Sequence, residues 1–211
     1  MIDKPSGLSV HPGWDRSDTH VMGELKAQLG RWVWPVHRLD RATSGVLALG
    51  LDTDAARALS EAFAAHAVDK RYVALARGVL PDALVVDHPV RKDEDGDARV
   101  DAVTELSRIA TVRERYSLMR AHPLTGRLHQ IRRHFRHLRA PILGDTTYGD
   151  NKENKKLREE VGLHRLALHA VSLTVPHPDD ARPITARAPL PPDLREPLAR
   201  LGFDESALDA V

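Results

Sequence analysis

The sequence predicts one domain of mixed strands and helices, and three observations carry that expectation. Short apolar runs such as "VLALGL" and "LALHAVSLTV" read as strands, whereas "LHQIRRHFRHL" repeats its apolar residues at three- and four-residue steps and reads as a helix. Strand and helix signals alternate along the chain. Its 211 residues are ample for a hydrophobic core and fit one domain over residues 1–211.

The elements follow in order. Pro and Gly mark turns at residues 5–7 and 12–13, with "LSVH" between them as a short strand. Val21, Leu25 and Leu29 share helix spacing and Gly30 supplies the stop, so a helix is expected over residues 21–30. Residues 46–51 read as a buried strand. Asp52 or Thr53 then caps a helix in which Leu59 and Phe63 lie four apart, and residues 70–78 form a strand closed by Gly78. A polar loop leads to a strand at residues 102–106, and "RYSLMRAHPLTGR" gives another strand with a turn from Pro123 to Gly126. In the next helix Leu128, Ile131, Phe135 and Leu138 fall on one face. Arg133 and Arg136 face elsewhere, toward solvent or a polyanion, and Arg132 lies on the border of the apolar face. Residues 148–162 form a charged, loosely helical excursion before the last strand signal, "LALHAVSLTV".

Composition narrows the chemistry. With Cys 0 there is no disulfide framework, no thiolate nucleophile and no cysteine-held metal. The opening "MIDKPSGLSVHPG" is unlike a secretory signal, and no run of about 20 apolar residues occurs, so a soluble protein of the cytoplasm with no membrane association is expected. The net charge of +1 is near neutral, but residues 113–139 hold eight Arg, four His, no Lys and one acidic residue, Glu114. An arginine-biased stripe suits bidentate gripping of phosphate or carboxylate.

The 12 His do not make a metal motif: His129, His134 and His137 give no i,i+4 pair around a Glu, and no metal is expected. "TSGV" is not the elbow of a serine hydrolase, and the absence of a Gly-x-Gly phosphate cradle implies no nucleotide cofactor. What remains is Asp40 between Arg38 and Arg41, with hydroxyls such as Thr43 nearby. On an ordinary surface such alternating charge does little beyond solvation. A polyanion held by arginines, one aromatic face for a base and one Asp as nucleophile or base would make a self-contained site. His37 and His129 are expected to brace it by hydrogen bonds.

Four motifs in order, "VHRLDRATSGVLAL", "KRYVALARG", "HPLTGRLHQIRRHFRHLRAPILGD" and "RLALHA", resemble the RluA-like branch of RNA pseudouridine synthases across nearly the whole chain. The resemblance implies an α+β fold with a mixed, mostly antiparallel central sheet, flanking helices and an RNA cleft. It implies that Asp40 is catalytic, that Arg38 inserts where the target nucleotide leaves, that Tyr72 stacks on the uracil and that Arg132 pairs with the catalytic carboxylate. Thr43, His37, His129, Arg133 and Arg136 are then expected on the substrate side. No cofactor is implied. The family carries a strand and turn ahead of "DKPSG", and many members an accessory RNA-binding domain there; neither is expected here, and the catalytic domain is expected to act as a monomer. The stretch from "RRHFRHL" to "LHRLALHA" is most similar to the type that modifies uridine 65 of tRNA. A ribosomal RNA target, or a catalytically silent RNA-binding protein of the same fold, are the alternatives.

Overall fold

The computed structural model describes residues 1–12, 19–93 and 96–211. The strands and helices are, in chain order, β1 (Ile2–Lys4), α1 (Val21–Leu29), β2 (Trp34–Pro35), β3 (Ser44–Leu47), β4 (Leu49–Gly50), α2 (Thr53–Ala64), β5 (Asp69–Arg77), β6 (Ala83–Asp87), β7 (Val90–Arg91), β8 (Arg99–Val100), β9 (Val103–Val112), β10 (Tyr116–Pro123), α3 (Gln130–His137), α4 (Asn151–Val161), β11 (Leu168–Pro176), β12 (Pro183–Arg187), α5 (Pro192–Leu201) and α6 (Glu205–Asp209). The architecture is α+β with mostly antiparallel strands. Two compact units are distinguished: Met1–Lys70 with Ala170–Ala188, and Arg71–His169 with Pro189–Val211.

In the first unit β1 pairs antiparallel with β3, placing Asp3 opposite Val46, and β11 pairs antiparallel with β12. Helix α2 begins where the Asp52 carboxylate accepts the Ala55 N–H, satisfying a donor that the helix itself leaves open. Its Leu59 packs with Val46, Ala48, Leu173, Val175 and Ala188 in one core, which Phe63 and Val36 flank. Helix α1 ends on Gly30 in the left-handed conformation, φ 62°, and starts on a cap not foreseen, His20, whose Nδ1 accepts the Gly23 N–H at 3.1 Å.

The second unit is built on the strand order β5-β10-β9-β6, with antiparallel ladders throughout and a bulge between Leu118 and Met119. Tyr116, Leu118, Met119, Phe135, Ile142, Leu143 and Leu157 are fully buried. The run "APIL" lies along β5: the Arg77 N–H donates to Pro141 O at 3.0 Å and the Leu143 N–H to Leu75 O at 2.9 Å.

Several expectations are corrected. "LSVH" is not a strand, because its carbonyls are taken from elsewhere: Leu8 O by the Lys4 ammonium, Ser9 O and Val10 O by the first N–H groups of α1. Ile2–Lys4 is itself a strand. The expected strand at residues 46–51 breaks at Ala48, whose N–H goes to the His37 side chain rather than to a ladder. β9 runs to Val112, well beyond residue 106, and β6, β12, α5 and α6 lie in segments where no element was anticipated. The turn at residues 12–13 extends outside the described residues.

Gly45 shows why β3 tolerates no side chain at that position. Its φ is +110°, and an added Cβ would sit 2.2 Å from the Ala170 carbonyl oxygen, inside the contact of β3 with β11. Gly30 is also left-handed but has open space around it. Gly45→Ala is therefore expected to destabilise by about 3 kcal/mol or more, and Gly30→Ala by about 1–2 kcal/mol from backbone strain alone. Urea unfolding of the two variants measures the contrast; equal losses would contradict the close approach.

Candidate active site

Asp40 lies half-buried in the loop between β2 and β3, and that loop is tied to the start of the chain by unusually many bonds. The Lys4 side chain is fully buried, and its ammonium donates to Pro5 O at 2.8 Å, Leu8 O at 2.8 Å and Arg41 O at 3.2 Å. Gly7 N–H donates to Arg41 O at 2.8 Å, Arg41 Nε returns a bond to Gly7 O at 2.9 Å, and Ser6 Oγ donates to Ala42 O at 2.7 Å. Asp40 O accepts the Thr43 N–H at 3.0 Å, closing a turn, and Thr43 is buried. Desolvating an ammonium is costly unless its donors are met, so Lys4 fastens the backbone on both sides of it. The loop is thereby rigid at Arg41 and Ala42, immediately after the carboxylate. Arg38 is exposed.

His37 sits at the other end of this loop. Its ring stacks on Phe63 with centroids 4.4 Å apart, and its Nε2 accepts the Ala48 N–H at 2.9 Å. An accepting Nε2 carries no proton, so the ring is neutral with its proton on Nδ1. Burial, and secondarily the charge of Lys70, push its pKa from 6.5 down to about 3. It braces the loop against β3.

In the second unit Tyr72 is half-buried on β5, opposite Ala121 of β10. The remaining expected residues surround α3. That helix is held on both sides of Arg132. Gln130 accepts from Thr125 Oγ1 and Arg127 N–H and donates to Val103 O and Thr104 Oγ1, while buried His134 places Nδ1 at 2.9 Å from Thr104 Oγ1 and Nε2 at 3.0 Å from His88 O. Between them, buried Arg132 donates from Nε to Asp145 Oδ2 at 2.8 Å and from Nη2 to Asp145 Oδ1 at 2.9 Å. Burial alone would raise the Asp145 carboxyl, but Arg132 and the N–H groups of Tyr148 and Thr147 outweigh it and hold the pKa below the ordinary value.

Tyr148 completes the cluster. Its ring lies 5.0 Å from the Arg132 guanidinium and 5.8 Å from that of Arg133. Its hydroxyl accepts from Arg133 Nε at 3.0 Å and lies within hydrogen-bond distance, 3.0 Å, of His129 Nδ1. His129 has a left-handed backbone, φ 52°, where α3 begins. Arg133 also donates to Arg91 O and is half-buried, whereas Arg136 is exposed.

The arginine stripe of residues 113–139 is not one face. Arg113 pairs with Glu160, Arg115 with Glu153, Arg132 with Asp145, Arg120 bonds Ala210 O, Arg127 bonds Asp101 O and Arg133 bonds Arg91 O. Only Arg136 and Arg139 make no side-chain hydrogen bond or ion pair among the described residues. The excursion after Tyr148 is helix α4, capped by Asp150 and anchored by buried Glu153, Asn154, Leu157 and Val161. Sequence reasoning passed over the roles of Asp145, Tyr148 and Lys4. The available signal for Asp145 was Arg132 itself, since an arginine at the border of an apolar face calls for a carboxylate.

The scaffold is α+β with mostly antiparallel strands; one unit carries a half-buried carboxylate on a loop whose following residues are pinned, and the other a helix whose Arg132 is oriented by a buried aspartate. Residues 1–137 match the family described as RNA pseudouridylate synthase. The chain belongs to that family and is an RNA pseudouridine synthase, an isomerase. It is similar to tRNA pseudouridine synthase C of Vibrio cholerae, 40% identical across 98% of this chain and 93% of that protein. It is also similar to tRNA pseudouridine synthase C of Haemophilus ducreyi, 41% identical across 89% of this chain and 85% of that protein. Among solved structures, human RNA pseudouridylate synthase domain containing 4 aligns with a TM-score of 0.78 at 30% identity, covering 95% of this chain and 88% of that one. Among the described residues no helix is long and apolar enough to cross a membrane.

The depressed pKa of His37 has a definite sign. The unfolded chain binds this proton near pH 6.5 and the folded chain only near 3, so the stabilising contribution is present above about pH 6.5 and lost as pH falls from there. Between pH 7.5 and 5 the loss is roughly 2 kcal/mol. His37→Gln removes the titration, and its stability deficit relative to the parent is expected to shrink by about that amount at pH 5. Parallel pH profiles in denaturant unfolding would show that the ring is not held neutral.

Proposed function

We propose that this chain converts one uridine of a tRNA into pseudouridine, that Asp40 is its catalytic carboxylate, and that uridine 65 is the target. The observation that carries the reading is the half-buried carboxylate of Asp40 on a loop whose following residues are fixed by Lys4, Ser6 and Gly7. Similarity over nearly the full chain to proteins named tRNA pseudouridine synthase C supports tRNA as the substrate.

The reaction breaks the bond from C1′ to N1 of the uridine and forms one from C1′ to C5. The C5 proton leaves, N1 gains a proton, and there is no net redox change. A carboxylate fixed in place serves such a reaction as a nucleophile, at C6 or C1′, or as a base at C2′. Arg132 is assigned the role that the resemblance gives to the arginine serving the catalytic carboxylate. Arg38, exposed on the same loop as Asp40, is assigned to enter the RNA where the target nucleotide leaves, because extrusion is what gives a protein access to a stacked base. Tyr72 supplies the floor that retains the detached uracil while it turns. Arg136 is suited to a phosphate contact by its exposure; Arg133 and His129, already engaged with Tyr148, border the bound strand. Thr43 and His37 act by holding the loop. The setting is the cytoplasm and the acting species a monomer.

Asp40→Asn conserves shape and removes the charge. It is expected to abolish pseudouridine formation on a tRNA transcript in single-turnover assays while leaving RNA affinity and thermal stability near the parent values; turnover close to the parent rate would overturn the assignment. Tyr72→Phe is expected to cost less than Tyr72→Ala, the difference reflecting a stacking contribution of about 1–3 kcal/mol. Equal rates for the two variants would remove Tyr72 from the pocket.

A further inference from the structure

The bidentate pair of Arg132 with Asp145 is more elaborate than docking of α3 requires. Gln130 and His134 already fasten that helix to Val103, Thr104 and His88 on either side of Arg132. A buried ion pair is also a weak source of stability compared with apolar packing of the same volume. What the pair does fix is the plane of one guanidinium. Asp145 takes the Nε–H and one Nη2–H, so this edge of Arg132 is committed and any further carboxylate must be received on the edge that includes Nη1.

Asp145 is itself held from every side. Its Oδ1 also accepts the N–H groups of Thr147 at 2.9 Å and Tyr148 at 3.0 Å, and its carbonyl accepts from Asn154 Nδ2 at 2.9 Å. Asn154 Oδ1 returns a bond from the Gly144 N–H at 2.8 Å. Gly144 has φ +75° and passes so close to Arg165 that a Cβ would lie 1.8 Å from its carbonyl oxygen; a Cβ on Gly149 would lie 2.1 Å from Asp145 O. The segment "GDTTYGDN" is thus a rigid bracket, and Tyr148 within it presses its ring against the same guanidinium.

We propose that Asp145 is a positioning residue for the isomerisation: it sets the plane and the free edge of the Arg132 guanidinium. This inference rests on the assignment of Arg132 to the catalytic machinery. Asp145 touches no reacting atom and acts only through Arg132.

A rate cycle tests it. Arg132→Ala, Asp145→Asn and the double variant are compared by single-turnover pseudouridine formation at saturating tRNA, with RNA binding and thermal unfolding measured alongside. Misplacing a catalytic group by about an ångström costs on the order of 100-fold in rate, so Asp145→Asn is expected to lose about that much with its RNA affinity unchanged. Because the effect passes through Arg132, the double variant is expected to be no slower than Arg132→Ala alone. A rate within about threefold of the parent for Asp145→Asn, or a double variant slowed by the product of the single effects, would overturn the proposal. An unimpaired Arg132→Ala would instead remove Arg132 from the active site, a failure of the earlier reading. Should Asp145→Asn not fold, Asp145→Glu, which keeps the charge and moves it by one methylene, takes its place under the same criteria. If neither folds, the pair is structural and the proposal falls.

Discussion

A guanidinium cannot shed its charge, so an arginine drawn into the interior of a fold must bring a carboxylate with it, correctly aimed. Arg132 imposes that constraint on the second unit. Asp145 answers it, and the conformation around Asp145 follows: a left-handed Gly144 against Arg165, an asparagine bridging Gly144 and Asp145 from the next helix, and two backbone N–H groups turned onto one carboxylate oxygen. Loss of the aspartate would leave a buried cation, and loss of the arginine a buried anion. The whole bracket is therefore specified by one charge.

The first unit solves a related problem with a different cation. Lys4 presents an ammonium to three backbone carbonyls, one of which belongs to Arg41, next to Asp40. Carbonyl dipoles compensate the ammonium without supplying a second formal negative charge beside the Asp40 carboxylate. At the far end of the loop, His37 is kept neutral by giving its Nε2 lone pair to a backbone N–H. In the proposed role of Asp40 as nucleophile or base, fixing the loop before substrate arrives lowers the entropic cost of reaching the reactive geometry.

Much of this was legible in the sequence, for identifiable reasons. The apolar face of α3 was readable because helix periodicity is local, and the same reading put Arg132 at its border, where it is indeed buried. The caps at Asp52 and Gly30 were readable because both residue types carry their reason with them. The partner of Arg132 was not, since Asp145 is brought to it by a turn that no periodicity announces. The "LSVH" strand failed because a side chain and a helix terminus competed for its carbonyls, and the strand after Val46 broke because an imidazole took the Ala48 N–H. The arginine stripe misled for a third reason. Proximity along the chain does not place residues on one surface, and Arg113, Arg115, Arg120 and Arg127 each turn to a different partner.

The central claim is that the chain modifies a tRNA. Mapping pseudouridine in total RNA from cells with and without the protein tests it most directly. The account predicts loss of one pseudouridine, at position 65 of tRNA, with ribosomal RNA unchanged. Loss confined to ribosomal RNA, or no loss anywhere, would contradict it.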